Sequence, residues 1–170
     1  MTRVSDLLEL HVPGIPAITW DSHLHDFAQE YAYDDIYNRY SRTDLTLFGL
    51  GPCSRRDVVI SQSRSCYGHD VVTHLNFCRG RLCAVHQFFH TVTEMATDEY
   101  YAALERIRRH LSESLGTPVL QTSIHVPSQV SYRWGRERLH AELRSSTGAR
   151  RDLSLAVNNP DVCSWCMYWR

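Results

Sequence analysis

Val71–Phe89 reads VVTHLNFCRGRLCAVHQFF, and the way this stretch doubles back decides the fold. Two apolar, β-rich runs flank Arg79-Gly80, the pattern of a two-residue hairpin turn in which glycine supplies the positive φ. With Arg79 and Gly80 at the turn, a regular ladder pairs Phe77 with Leu82, Leu75 with Ala84 and Thr73 with His86. Side chains alternate along a strand, so these six share the face expected to cover the core. The opposite face then carries Val72, His74, Asn76 and Cys78 against Arg81, Cys83, Val85 and Gln87.

An amphipathic helix follows. Tyr100, Leu104, Ile107, Leu111 and Leu115 recur at helical spacing, which predicts a helix over 98–115. Asp98 is its expected cap, and Gly116 with Pro118 its stop. Beyond a proline-bounded link, Val130 to Trp134 reads as a strand that turns at Gly135. Leu139, Ala141 and Leu143 alternate with polar residues, as do Leu153, Leu155 and Val157, so 130–157 is expected to be an antiparallel meander.

Upstream the pattern is weaker. Residues 1–19 read as an N-terminal arm with a short helix at Ser5 to Leu10, because Pro13, Gly14 and Pro16 force an extended path. Asp21 or Ser22 is placed to cap a helical segment over 21–40. Thr43 to Leu50 suits a strand, Ser54 to Ile60 a short helix and Ser61 to His69 a serine-rich loop. The fold class that results is α+β: a single domain over 1–170, mainly antiparallel, in which hairpin 71–89 and meander 130–157 are covered by helix 98–115.

The bulk numbers bound the function. A chain of 170 residues with 43% hydrophobic and 22% charged content has room for one core. A formal net charge of -1 offers no overall attraction to nucleic acid, and no run of eighteen apolar residues spans a membrane. All 18 basic residues are arginine, which excludes lysine Schiff-base chemistry and a phosphate-loop lysine. The N-terminus lacks the apolar core of a secretory signal, so a cytoplasmic protein with reduced thiols is expected.

Three groups of residues could carry chemistry. Asp21-Ser22-His23-Leu24-His25-Asp26 resembles the D-x-H-x-H signature that opens metal-dependent amidohydrolases and related nucleases. That resemblance implies His23 and His25 as metal ligands in a hydrolase. A complete (β/α)₈ barrel takes roughly 200 residues or more, and βα alternation is missing here. The second group is cysteine-based. His74, Cys78 and Cys83 share a hairpin face, and Cys163-x-x-Cys166 has knuckle spacing, so a zinc held by Cys78, Cys83, Cys163 and Cys166 is conceivable. No other cofactor is expected.

The third group is aromatic. Tyr33 and Tyr37 lie near Arg39 and Arg42, and the 160–170 tail places Trp165, Tyr168 and Trp169 beside Arg170. Tyrosine, tryptophan and arginine dominate protein–protein hot spots. With no coherent catalytic signature, the expected function is non-catalytic protein binding of the inhibitor, immunity or adaptor type. A small metal-binding protein or hydrolase is the competing class.

Overall fold

The computed structural model describes residues 3–10, 17–27, 42–43, 53–89, 94–123, 128–136, 139–147, 151–159 and 161–162, with backbone alone at 42–43, 53–65 and 136. The elements are α1 (Val4–Leu7), β1 (Arg42–Thr43), β2 (Cys53–Cys66), β3 (His69–Cys78), β4 (Arg81–Phe89), α2 (Thr97–Leu115), β5 (Val119–Thr122), β6 (Gln129–Arg136), β7 (Leu139–Thr147) and β8 (Arg151–Asn158). Leu24–Asp26 forms one 3₁₀ turn. Among the described residues the strands make one antiparallel sheet in the order β1-β2-β3-β4-β8-β7-β6-β5. Two meanders, β1 to β4 and β5 to β8, therefore meet along β4 and β8, and α2 is the crossover between them.

Arg79 and Gly80 do reverse the chain. Both have positive φ, 52° and 81°, the type I′ geometry whose twist matches that of the flanking strands. Arginine carries a Cβ into a conformation that costs L-residues about 1–2 kcal/mol. The exposed Arg79 gains nothing visible in return, so Arg79→Asn is expected to raise stability by about 0.5–1 kcal/mol, read as a higher urea midpoint. Tyr67-Gly68 forms a second turn of the same kind, with φ of 53° and 79°. There the side chain is anchored, since the Tyr67 hydroxyl donates to the Leu7 carbonyl at 2.8 Å.

The hairpin departs from the regular ladder in one respect that reorganises the core. Phe77 pairs with Leu82 as expected, but Asn76 then pairs with Ala84, Leu75 with Val85, His74 with His86 and Thr73 with Gln87. Cys83 is the extra residue of a β-bulge. A slip of one residue exchanges the faces of everything beyond it. Val85, Gln87 and Phe89 thus enter the core in place of Ala84, His86 and Phe88. The physical reason is burial: Val85 and Phe89 are fully enclosed, whereas the regular ladder would have exposed them and buried an imidazole.

Other expectations are corrected in the same region. Residues 54–60 are not helical and 61–66 are not a loop; both belong to β2, which pairs with β3 from Arg55↔Cys78 to Gln62↔Val71 and again at Cys66↔His69. The β-branched run Val58-Val59-Ile60 suits a pleated strand better than a one-turn helix. The supposed link after α2 contains the edge strand β5, paired with β6 from Val119↔Arg133 to Thr122↔Val130. β6 continues through Gly135 to Arg136 rather than turning there. Of the expected helix over 21–40, residues 24–26 form the 3₁₀ turn and 28–40 lie outside the described residues, as does most of the expected strand at 43–50.

α2 is the element read most closely from sequence. Tyr100, Leu104, Ile107, Leu111 and Leu115 are buried as the stripe predicts, and Ala103 joins them. Its N-cap position is Ala96 rather than Asp98, and no side chain caps it. Asp98 and Glu99 sit in the first turn, where carboxylates favour the helix dipole. Gly116 ends the helix at φ 88°, ψ -164°, a region essentially confined to glycine. The indole nitrogen of Trp134 donates to the Gly116 carbonyl at 2.9 Å, fastening the helix end to β6.

The stretch that reads as an arm contributes to the core. Val4, Leu7, Leu8, Leu10, Ile18, Trp20 and Phe27 are buried with the inner faces of β3, β4 and α2. Its polar backbone finds partners there: the Gln87 amide donates to the Leu8 carbonyl at 3.1 Å, and the Cys66 thiol donates to the Glu9 carbonyl at 3.4 Å. Burying backbone without such partners would cost about 1–3 kcal/mol per group, so Gln87 holds a sheet position that an aliphatic residue could not fill equally well.

Candidate functional site

Among the described residues, the large hydrophobic side chains left exposed are Val119 at 70%, Leu120 at 60% and Tyr101 at 49%. Topology brings Val119 and Leu120 to one border of the sheet. Among the described residues β5 is the last strand of the sheet, and no described strand pairs with its outer backbone groups. Leu120 pairs with Tyr132 and Val119 with Arg133, which puts Leu120 on the α2 side of the sheet and Val119 on the opposite side. Along α2, Tyr101, Glu105 and Arg108 follow one another at helical spacing, and Arg108 reaches β6. The Arg108 guanidinium lies 5.9 Å from the centre of the Tyr132 ring, and Glu105 grips it through Nε at 2.7 Å and Nη2 at 2.5 Å. This ion pair lowers the Glu105 carboxyl pKa and raises that of Arg108, in each case chiefly through their mutual hydrogen bonds.

Arg133 marks the other side of the edge. Its Nη2 lies 3.4 Å from the buried Glu142 carboxylate, which also receives Arg144 at 3.3 Å. The result is an edge strand with apolar side chains on both faces and an arginine beside each. Natural sheets commonly protect edges with lysine, bulges or coverings. This one is short and, among the described residues, uncovered, and an added strand would find backbone donors, apolar contacts and guanidinium groups together. Sequence reasoning placed an aromatic and arginine surface elsewhere and missed β5. The available signal was Val119-Leu120 directly after Pro118, a β-prone pair that a proline prevents from continuing the helix.

The second cluster lies on the sheet face away from α2. Cys78, Cys83 and Ala84 form a small buried group of their own, covered by Val162. The bulge explains the grouping, because it turns Cys83 and Ala84 to the same side. The Cys83 thiol donates to the Asn76 carbonyl at 3.2 Å, and the Cys83 carbonyl accepts from Asn159 N–H at 2.9 Å. His74 shares this face four residues along β3, roughly 13 Å of strand from Cys78, and packs edge-on against Phe88 with ring centroids 5.3 Å apart.

His23 and His25 occupy an exposed 3₁₀ turn beside the Arg79-Gly80 hairpin. Leu24 N–H donates to Gly80 carbonyl at 2.9 Å and Leu82 N–H to Ser22 carbonyl at 3.0 Å. The rings lie 5.3 Å apart, while the neighbouring carboxylates are engaged otherwise. Asp26 accepts from His23 N–H at 2.8 Å and contacts His25 Nε2 at 3.1 Å, and Asp21 pairs with Arg81 at 3.1 Å. The surrounding sheet is antiparallel rather than the parallel barrel whose mouth the signature normally occupies. Among the described residues no group of three or more His, Cys, Asp or Glu side chains is placed to hold a metal. Cys163, Cys166, Tyr33, Tyr37, Arg39, Trp165, Tyr168, Trp169 and Arg170 lie outside the described residues, and Arg42 is placed only by its backbone, opposite Ser54.

A third polar group, His69, is held neutral by its setting. Desolvation lowers its pKa, the Arg106 charge adds to this and Asp70 opposes it, and its Nε2 is buried without a hydrogen bond. Its folded pKa is thus below that of the unfolded chain, so acid protonates the unfolded state first. This contribution to stability is complete above about pH 6.5 and is lost as pH falls from there through the folded pKa. Urea midpoints are expected to drop from pH 7.5 toward pH 5.5, and His69→Gln should flatten that slope.

The architecture is thus an antiparallel sheet with one helix packed across it. No family model matches the chain, no curated protein matches its sequence and no solved structure matches its fold. Among the described residues no helix is long and apolar enough to cross a membrane.

Proposed function

We propose that this chain is a non-catalytic protein-binding protein, of the inhibitor, immunity or adaptor type, that takes up an extended segment of a partner along β5. The observation that carries this reading is the pair of exposed apolar residues Val119 and Leu120 on the edge strand β5, near Arg108 and Arg133. An incoming strand would gain backbone hydrogen bonds from β5 and bury apolar side chains on both faces. Carboxylates at its flanks would meet the two guanidinium groups, each of which has donors beyond those used by Glu105 and Glu142. Tyr33, Tyr37, Arg39, Arg42, Trp165, Tyr168, Trp169 and Arg170 are proposed as further contacts on the grounds of residue type.

Photo-crosslinking tests the reading. A photoreactive amino acid at position 120, introduced in the native host, is expected to give one discrete adduct with a second protein. The same group at Arg109, on the solvent side of α2, is expected to give none. No adduct at 120, the same adducts from both positions, or an adduct only with a second copy of this chain would overturn it.

A further inference from the structure

Taking β5 as the docking edge, we propose that the partner segment is an added strand held by the main chain of Leu120 and Thr122. Its side chains alternate, apolar ones toward Leu120 and acidic ones toward Arg133. The parity of the edge follows from one hydrogen bond. Ser123 N–H donates to the Gln129 carbonyl at 3.1 Å, and directly opposed residues of an antiparallel ladder alternate between bonded and non-bonded pairs. Counting back along the register, Gln121↔Ser131 and Val119↔Arg133 are bonded pairs, whereas Thr122↔Val130 and Leu120↔Tyr132 are not. The N–H and C=O groups of Leu120 and Thr122 therefore point away from β6. Pro118 has the same parity, so its missing N–H costs the ladder nothing. Val119, Leu120, Gln121 and Thr122 are all exposed, which leaves room for a strand beside them.

The two faces set the chemistry of the occupant. The α2 side presents Leu120 next to Tyr132, and the Arg108 charge there is matched by Glu105. On the other side Arg133 and Arg144 share the Glu142 carboxylate, which leaves an excess of positive charge near Val119 and Gln121. A residue of the added strand opposite Leu120 shares its face and buries an apolar side chain against it. Its neighbours, opposite Val119 and Gln121, fall on the Arg133 side, where a carboxylate offsets the excess. This alternation is the same whether the strand enters parallel or antiparallel.

A short fluorescein-labelled peptide of alternating valine and glutamate is expected to bind the full chain in fluorescence anisotropy. A valine and lysine counterpart should bind at least about tenfold more weakly. Thr122→Pro removes an outward N–H and puts a ring carbon in the path of the strand, so binding should be lost with the urea midpoint near that of the wild type. Thr122→Ala keeps the N–H and should keep binding. Gln121→Pro removes a bond to β6 and is expected to lower the midpoint. Equal affinity for the two peptides, no binding of the glutamate peptide, binding that survives Thr122→Pro, or binding lost in Thr122→Ala would each overturn the proposal. So would a midpoint for Thr122→Pro as low as that of Gln121→Pro, because the parity would then be wrong. A discrete adduct from position 120 in the crosslinking experiment would still support docking at β5 after any of these failures.

Discussion

Tyr100→Ala is expected to remove about 3–5 kcal/mol of stability, the range for deleting a large ring from a packed core. Tyr100 is fully buried at the start of α2. Its hydroxyl lies 2.7 Å from the Ser145 hydroxyl and donates to the Asp152 carbonyl at 2.9 Å, and the Arg151 guanidinium rests 5.8 Å from its ring centre. Burial pushes its phenol pKa up, so the hydroxyl keeps its proton as a donor. One side chain thereby ties the helix to the β7–β8 hairpin, some forty-five residues later in the chain. Against a total of roughly 5–15 kcal/mol for a folded domain, losing that tie should move the urea midpoint by a large fraction of its value. Tyr100→Phe keeps the ring and removes only the hydroxyl, so about 1–2 kcal/mol is expected. Equal losses for the two variants would mean that the hydroxyl, and not ring packing, anchors the helix.

Leu120→Arg is expected to weaken partner binding by at least about tenfold, or 1.4 kcal/mol, while shifting the urea midpoint little. The two readouts separate because Leu120 is largely exposed. Its side chain contributes little to folding, yet at the centre of an added strand it would sit in a desolvated contact, where single truncations often cost 2 kcal/mol or more. A charge there opposes both the apolar contact and, beside Arg108, the guanidinium already present. The measurement is titration of the crosslinked partner, once purified, against wild-type and variant chains. Unchanged affinity would remove β5 from the interface. Val119→Arg acts from the opposite face of the same strand, so a partner that grips the edge itself, rather than one face of the sheet, should respond to both.

Much of the scaffold was legible from pattern. The α2 stripe was legible because helical burial depends on one period that no other element alters. β7 and β8 could be read because their apolar residues alternate with mostly polar ones, and the Arg79-Gly80 turn because a two-residue turn with positive φ favours glycine. β2 was harder. Its serines and arginines at 54–56 and 61–65 mask the period, and the Tyr67-Gly68 turn that closes it passed as part of a loop although it has the same form as Arg79-Gly80. The expected cap at Asp98 failed because Asp98 is already the second residue of a helix that begins at Thr97.

The candidate sites divide the same way. Strand alternation drew attention to Cys78 and Cys83 and spacing to the Cys163-x-x-Cys166 pair, but the bulge that brings Ala84 to the face of Cys78 and Cys83 and the packing of Val162 over them could not be seen in one dimension. β5 was hidden because four residues are too few to show a period. Its meaning as an edge depends on strand order, which is set by where α2 returns the chain.

The amino-acid sequence by itself determined that two hairpin-forming regions flank one amphipathic helix, because turns and periodicity are local properties of a few neighbouring residues. Tertiary structure alone decided which side of β4 is buried, which strand is left at the border and where the N-terminal apolar residues go. Those outcomes depend on how the inner faces of strands far apart in the chain fill a shared core. One bulge at Cys83 was enough to exchange the two faces of half a strand.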